Sequence, residues 1–222
     1  MLYRTLELTL APALRVVYRP EIIGAAYVPH TGAVILAANH ISFADEIFTP
    51  LAARRQVLYF AKAEYFTTPG IRGQAMAAFF RACGHVPVER GDTRSAASVI
   101  EIGVDLLREG SALGIYPEGT RSPDGRLHKF RTGVARLAMR SGAPVLPVGL
   151  VGTREAQPPG TRRWHRTPVA VHFGELMYFG DRAAEERSSR VLREVTETVR
   201  KAVQELSGQD YLDAFAASGT RA

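Results

Sequence analysis

The 222-residue sequence holds a single cysteine, Cys83. It can form no intramolecular disulfide and offers no cysteine-based zinc site. No stretch approaches the roughly 18 uninterrupted apolar residues of a membrane-spanning helix. Arg4, Glu7 and Arg15 interrupt the apolar core that a signal peptide would need. Also missing are a G-x-x-x-x-G-K phosphate loop and a G-x-S-x-G nucleophile elbow. Internal repeats and low-complexity segments are absent as well. These absences lead to an expectation of a protein in the cytosol or on a membrane face, not across a bilayer.

The composition is that of a globular chain, with 46% hydrophobic and 23% charged residues. Its length suits one domain with a substantial core, so no disulfide or metal is needed for stability. The net charge is +6 and the pI about 9.8, supplied mostly by arginine. Such a balance suits anionic partners: phosphate-bearing substrates, acidic lipid head groups or nucleic acid. Many high-pI proteins are simply soluble cations, and charge alone does not choose.

Residues 2–18 carry Leu2, Leu6, Leu10, Leu14 and Val17 at helical spacing, with Pro12 expected to kink or divide the helix. This amphipathic element suits either a membrane interface or the domain's own core. Beyond it, short apolar runs near 33–38, 57–61, 86–88, 112–116, 144–151 and 169–173 alternate with helical patterns. The patterns cover 43–54, 93–109, 131–141 and 183–206. The expected architecture is α/β: a single domain with a mostly parallel or mixed central sheet flanked by helices, plus the N-terminal helix. The division expected is an N-terminal helix over 1–20, a main domain over 21–208 and a tail over 209–222 that frays.

Residues 33–46, AVILAANHISFADE, organise the rest. A buried strand delivers Asn39 and His40 to its end, and Ser42 and Asp45 open a helix. A histidine changes charge near neutral pH, and a carboxylate five residues on reaches it if the chain turns. Ser42 and Asp45 equally fit a capping box, in which Asp45 bonds back to the Ser42 amide. Two further strand ends carry matching groups: Glu89 and Arg90 after Val88, then Glu118, Gly119, Thr120 and Arg121 after Tyr116. Lys62 closes the strand near 57–61. In a parallel sheet such ends share one edge, where ligands bind. Gly119 lets backbone approach a ligand, and an arginine grips phosphate through two hydrogen bonds. The joint pattern suggests a base beside an anion pocket. His30, His85, His128, His165 and His172 lack ligand-like spacing and read as structural or exposed, and no metal site is expected.

The segment Asn39-His40-Ile41-Ser42-Phe43-Ala44-Asp45 resembles the first signature of the glycerolipid acyltransferases, which include lysophosphatidate and glycerol-3-phosphate acyltransferases. Gly84 to Arg90 resembles their second block, Tyr116 to Ser122 the third and Val145 to Val148 the fourth. The four blocks occur in order across roughly residues 33–150. The resemblance implies that His40 is the general base and Asp45 its orienting partner. It also implies acceptor-phosphate contacts from Arg90 and Arg121, with Lys62 a third, and an acceptor pocket shaped by Asn39, Glu118, Gly119 and Thr120. The co-substrate would be acyl-CoA or an acyl carrier protein, with no further cofactor. The acceptor would be 1-acylglycerol-3-phosphate or glycerol-3-phosphate, met by a peripheral protein on the cytoplasmic face of an anionic membrane; nucleic acid is not expected. Pro87 and Glu89 depart from the second block, where a large apolar residue and an Asp are common. Lys129 to Gly133 resembles the basic stretch that follows the third block and suits an anionic membrane or the phosphates of CoA. Two alternatives stay open: another lysophospholipid or glycolipid acceptor, or a non-catalytic basic module for lipid or nucleic acid.

Overall fold

The computed structural model describes residues 2–89, 93–161 and 163–217, and the backbone alone for 2–9 and 93–96. Arg90 and Arg162 lie outside the described residues. A seven-stranded sheet forms the centre, in the order β1-β8-β7-β2-β5-β3-β4. The strands are β1 (Glu21–Ile23), β2 (Val34–Ala38), β3 (Leu58–Lys62), β4 (His85–Val88), β5 (Ala112–Ile115), β7 (Val145–Val151) and β8 (Ala170–Phe173). The run β7-β2-β5-β3-β4 is parallel throughout, and β8 joins β7 antiparallel. The sheet is therefore mixed but mostly parallel, as the alternation of apolar runs and helical patterns implies.

All five residues of β2 are buried. That explains why the strand reads as an uninterrupted apolar run, since helices cover both faces of a central parallel strand. One face packs on α2 (Asp45–Ala53), where Phe48 is fully buried. On the other lie α5 (Thr93–Arg108), α6 (Gly133–Ser141) and, beyond the short α7 (Thr153–Ala156), α8 (Ser189–Ser207). Helix α8 buries Val191, Val195, Val199 and Val203, four residues apart along one stripe. It starts later than the sequence pattern suggests because the Ser188 hydroxyl caps it by accepting from Val191 N; residues 180–185 form a separate 3-10 turn.

Two expectations need correction. The N-terminal helix α1 (Leu2–Tyr18) is not divided at Pro12, which lies inside it. Its two proposed fates also divide along its surface. Ala11, Leu14 and Tyr18 pack against the core, while Leu10, Val16 and Val17 stay exposed. Tyr18 meets Phe48 edge-on at 5.3 Å and Trp164 at 6.4 Å. The expected fraying tail is instead pinned over residues 209–217. There β9 (Tyr211–Leu212) pairs with β6 (Leu127–His128), and Ala216 is buried.

Between β3 and β4, α3 (Glu64–Thr67) and α4 (Gly70–Ala82) form a close hairpin, with Gly73 against the Thr68 backbone. Of α4 only Gly73 and Ala77 are buried, and Ile71 is 87% exposed. An ordinary core helix would hide these side chains.

Candidate active site

The parallel strands bring four chain segments to one edge: His40 follows β2, Tyr116 to Arg121 follow β5, Lys62 ends β3 and Glu89 follows β4. Registers of Ala37 with Ile115 and of Tyr59 with Gly114 set the first three side by side.

His40 Nδ1 lies 2.9 Å from Asp45 Oδ2. The same oxygen accepts the backbone N–H groups of Ile41 and Ser42, each at 2.8 Å. The bond to Ser42 N is the return half of the expected capping box, but the box does not close: Ala44 is the residue before the helix, and the Ser42 hydroxyl accepts Ala44 N rather than Asp45 N. Asp45 is fully buried, so its carboxylate depends on those donors, and its Oδ1 has no partner among the described residues. A carboxylate opposite Nδ1 makes that nitrogen the donor. Nε2 then carries the lone pair of the neutral ring, and no described residue bonds it. His40 itself is 9% exposed, at the rim of the core.

The imidazole is held at Nδ1 and on one face, and its backbone is tied at both ends. Tyr116 stacks on it with centroids 3.8 Å apart and planes 12° off parallel. Desolvation pushes the Tyr116 hydroxyl well above its ordinary pKa, so the ring beside His40 stays neutral. The His40 backbone is tied at both ends to the third block: its N–H donates to Glu118 Oε1 at 2.9 Å and its carbonyl accepts from Ser122 N at 2.7 Å. Glu118 Oε2 accepts His128 N at 2.9 Å. Burial raises the Glu118 carboxyl to about 7, against the pull of those two N–H donors.

Asn39, expected in the acceptor pocket, is fully buried and spends both ends on one residue. Its Nδ2 donates to Leu150 O at 2.9 Å, and its Oδ1 accepts Leu150 N at 2.7 Å. It is a clamp between β2 and β7, and its side chain faces no open pocket. Glu118 is likewise a buried clamp, shaping the site through His40. Gly119 is exposed with φ +82°, a backbone that glycine adopts freely. Thr120 is half-buried and Arg121 exposed. Among the described residues neither Arg121 nor Lys62 has an ion-pair partner. The backbone N–H groups of Thr120 and Arg121 are likewise without an acceptor there, whereas Gly119 N is used by Tyr116 O.

Several supports escaped the sequence reading. Gln157 accepts the Ser42 hydroxyl through its carbonyl at 2.7 Å, and Arg154 donates to the carbonyls of Ser122 and Pro123. Neither carries a sequence signal, because both arrive from beyond the fourth block. Tyr116 did: an aromatic directly before Pro117-Glu118 sits where β5 ends. His85, His128 and His172 prove structural, bonded to Glu46, Asp124 and Leu206 O respectively.

The model of the Acyltransferase family matches residues 19–151. A chloroplastic 1-acyl-sn-glycerol-3-phosphate acyltransferase of Brassica napus is 34% identical, over 65% of this chain and 40% of its own length. Its counterpart in Chlamydomonas reinhardtii is 35% identical over 70% of this chain and 46% of its own. The crystal structure of PlsC from Thermotoga maritima, a 1-acyl-sn-glycerophosphate acyltransferase, superposes with a TM-score of 0.66 at 27% identity. It covers 92% of this chain and 79% of that one. The chain spans about two fifths of the length of the first two chloroplastic relatives it matches. Across more than half its length, the His40–Asp45 strand end and the Glu118 clamp included, this chain belongs to the acyltransferase family.

Proposed function

We propose that this chain transfers a fatty acyl group from a thioester donor to the free hydroxyl of 1-acylglycerol-3-phosphate, a step of phospholipid synthesis. The observation that carries the reading is the buried His40–Asp45 pair, on the same sheet edge as Arg121, with neither Nε2 nor the guanidinium partnered among the described residues. The named relatives support the acceptor class, since each is a 1-acyl-sn-glycerol-3-phosphate or 1-acyl-sn-glycerophosphate acyltransferase.

The geometry supports a direct transfer. Nε2 of His40 takes the acceptor hydroxyl's proton as its oxygen attacks the thioester carbonyl carbon. Asp45 holds the tautomer and stabilises the imidazolium. The Thr120 and Arg121 N–H groups suit the oxyanion of the tetrahedral intermediate. As the C–S bond breaks, the leaving thiolate takes the proton back from the imidazolium. The acceptor's own hydroxyl does the work of a nucleophilic serine, so no acyl-enzyme forms. A thioester is already activated, and this route calls for no cofactor or metal.

Arg121, with Lys62 and Arg90, is assigned to the acceptor phosphate. Gly119 and Thr120 line the pocket entrance. The exposed apolar surface of α3 and α4, with Tyr65 stacked on Phe80 at 5.1 Å, suits the acyl chain. The proposed donor is acyl-CoA. Leu10, Val16, Val17 and Trp164, all exposed, with Arg15 and Arg163 next in sequence to Val16 and Trp164, suit peripheral contact with the cytoplasmic face of an anionic membrane. No helix among the described residues is long and apolar enough to cross one. A nucleic-acid partner is not part of this reading.

The test is incubation of the purified protein with palmitoyl-CoA or palmitoyl-acyl carrier protein and a panel of acceptors: glycerol-3-phosphate, lysophosphatidate and uncharged lysolipids. Mass spectrometry should find phosphatidate from lysophosphatidate. Transfer only to acceptors without a phosphate, or to none, refutes the reading.

A further inference from the structure

The C-terminal segment is built into the site's flank. In the parallel pair β6–β9, Leu127 aligns with Tyr211 and His128 with Leu212. Lys129 N donates to Ala214 O at 3.0 Å, and Lys129 Nζ meets Asp213 at 2.9 Å. On its other side the same segment bonds the third block, His128 N to Glu118 Oε2 and Arg131 N to Pro117 O at 2.8 Å. The 116–121 loop, the 127–131 segment and the tail therefore lie side by side in that order.

Across this three-ply edge lies the side chain of Arg131. A Cβ at Gly119 would sit 2.7 Å from Arg131 Nε, so the arginine rests on bare glycine backbone. The ring of Phe215, from the tail, holds the guanidinium at 5.1 Å from its centroid. Lys129 is spent on Asp213, but no described carboxylate pairs with Arg131. Its donors stay open beside the backbone that runs from Glu118, which bonds His40, to Arg121. A guanidinium held between a glycine and an aromatic ring has lost rotamer freedom before any ligand arrives, which favours recognition of phosphate by a two-pronged fork.

We infer that Arg131 is a further ligand for a substrate phosphate, and that Phe215 is the positioning residue that holds it over Gly119. This rests on the acyl-transfer reading above. The phosphate belongs either to the acceptor lipid or to the CoA of the donor, and kinetics distinguish the two. Both substrates are varied for Arg131→Ala, Arg131→Lys, Phe215→Ala, Phe215→Tyr and the double alanine variant. Arg131→Ala should raise the KM of one phosphate-bearing substrate by about tenfold, with kcat within about threefold of wild type. Which KM moves names the source. Arg131→Lys, which keeps the charge and loses the fork, should fall between. Phe215→Ala should raise the same KM by about three- to fivefold, and should add nothing in the Arg131→Ala background. Phe215→Tyr should restore the wild-type value.

KM values for both substrates within about twofold of wild type in Arg131→Ala and Arg131→Lys overturn the ligand role. An equal Phe215→Ala effect with and without Arg131 overturns the positioning role. A wild-type protein that transfers no acyl group refutes the reaction itself, and this inference with it. Wild-type turnover with unmoved KM values refutes this inference alone.

Discussion

The sheet edge that carries the candidate site has two halves that are held very differently. On the β7–β2–β5 side, one carboxylate oxygen of Asp45 takes three hydrogen bonds, Asn39 clamps β2 to β7, and Glu118 and Ser122 grip both ends of the His40 backbone. On the β3–β4 side, α3 and α4 leave Tyr65, Ile71 and Phe79 exposed, and Lys62 has no ion partner among the described residues. The contrast fits the proposed acyl transfer. Proton transfer fails when the base is misplaced by about 1 Å, so the base is over-determined. Binding a hydrocarbon chain depends on area and hardly on direction, so an open apolar surface serves.

The largest effect expected from disturbing the rigid half belongs to Asp45→Asn. The amide cannot stabilise an imidazolium, and kcat should fall by about 10²- to 10⁴-fold with the fold retained. A rate within about threefold of wild type would show that the locked geometry is not there for proton transfer. Arg121→Ala, at the boundary between the halves, should raise the acceptor KM by about tenfold or more and leave the donor KM unchanged. Unmoved kinetics would overturn the assignment of Arg121.

Glu118 tests the rigid half through stability. Its carboxyl titrates near 7 when folded and near the ordinary 4.5 when unfolded. Between those values the folded chain binds a proton that the unfolded chain has lost, so this group's contribution to stability falls as pH rises. The loss is on the order of 3 kcal/mol across that window. Urea unfolding at pH 5 and pH 7.5 should display it in wild type, and Glu118→Gln should flatten it. An unchanged slope in the variant would mean that another group carries the pH dependence.

The smallest effect should come from the loose half. Ile71→Ser on α4 should change unfolding stability by less than about 0.5 kcal/mol, because the side chain is already in water. It should nevertheless raise the KM for long-chain acyl donors by a few-fold and leave short-chain donors alone. A large stability loss, or equal effects on both donors, would mean that α4 is ordinary core.

How much of this was legible in the sequence follows the same divide. β2 announced itself as five consecutive apolar residues, and the pairing of His40 with Asp45 needed only the short turn that Ile41 and Ser42 supply. The site's supports were harder to read, because they come from far along the chain. Leu150 meets Asn39 across 111 positions and Gln157 meets Ser42 across 115. Asn39 and Glu118 looked like pocket residues, since a polar group at a strand end usually faces ligand; burial turned both into clamps. Nor did composition hint that residues 209–217 would return to β6, because that pairing rests on backbone bonds and on scattered single contacts such as Lys129 with Asp213 and Arg200 with Tyr211. Pro12 misled in the opposite direction: it sits on the exposed side of α1, and the helix runs through it.

The central claim is that Nε2 of His40 takes the acceptor's proton. The direct measurement is the single-turnover rate of acyl transfer to lysophosphatidate by His40→Ala, at saturating acceptor, beside a thermal melt that verifies folding. A folded variant slowed by about 10³-fold or more is the expected result. A folded His40→Ala that turns over within about tenfold of wild type would contradict the account, because the strand end would then hold no base.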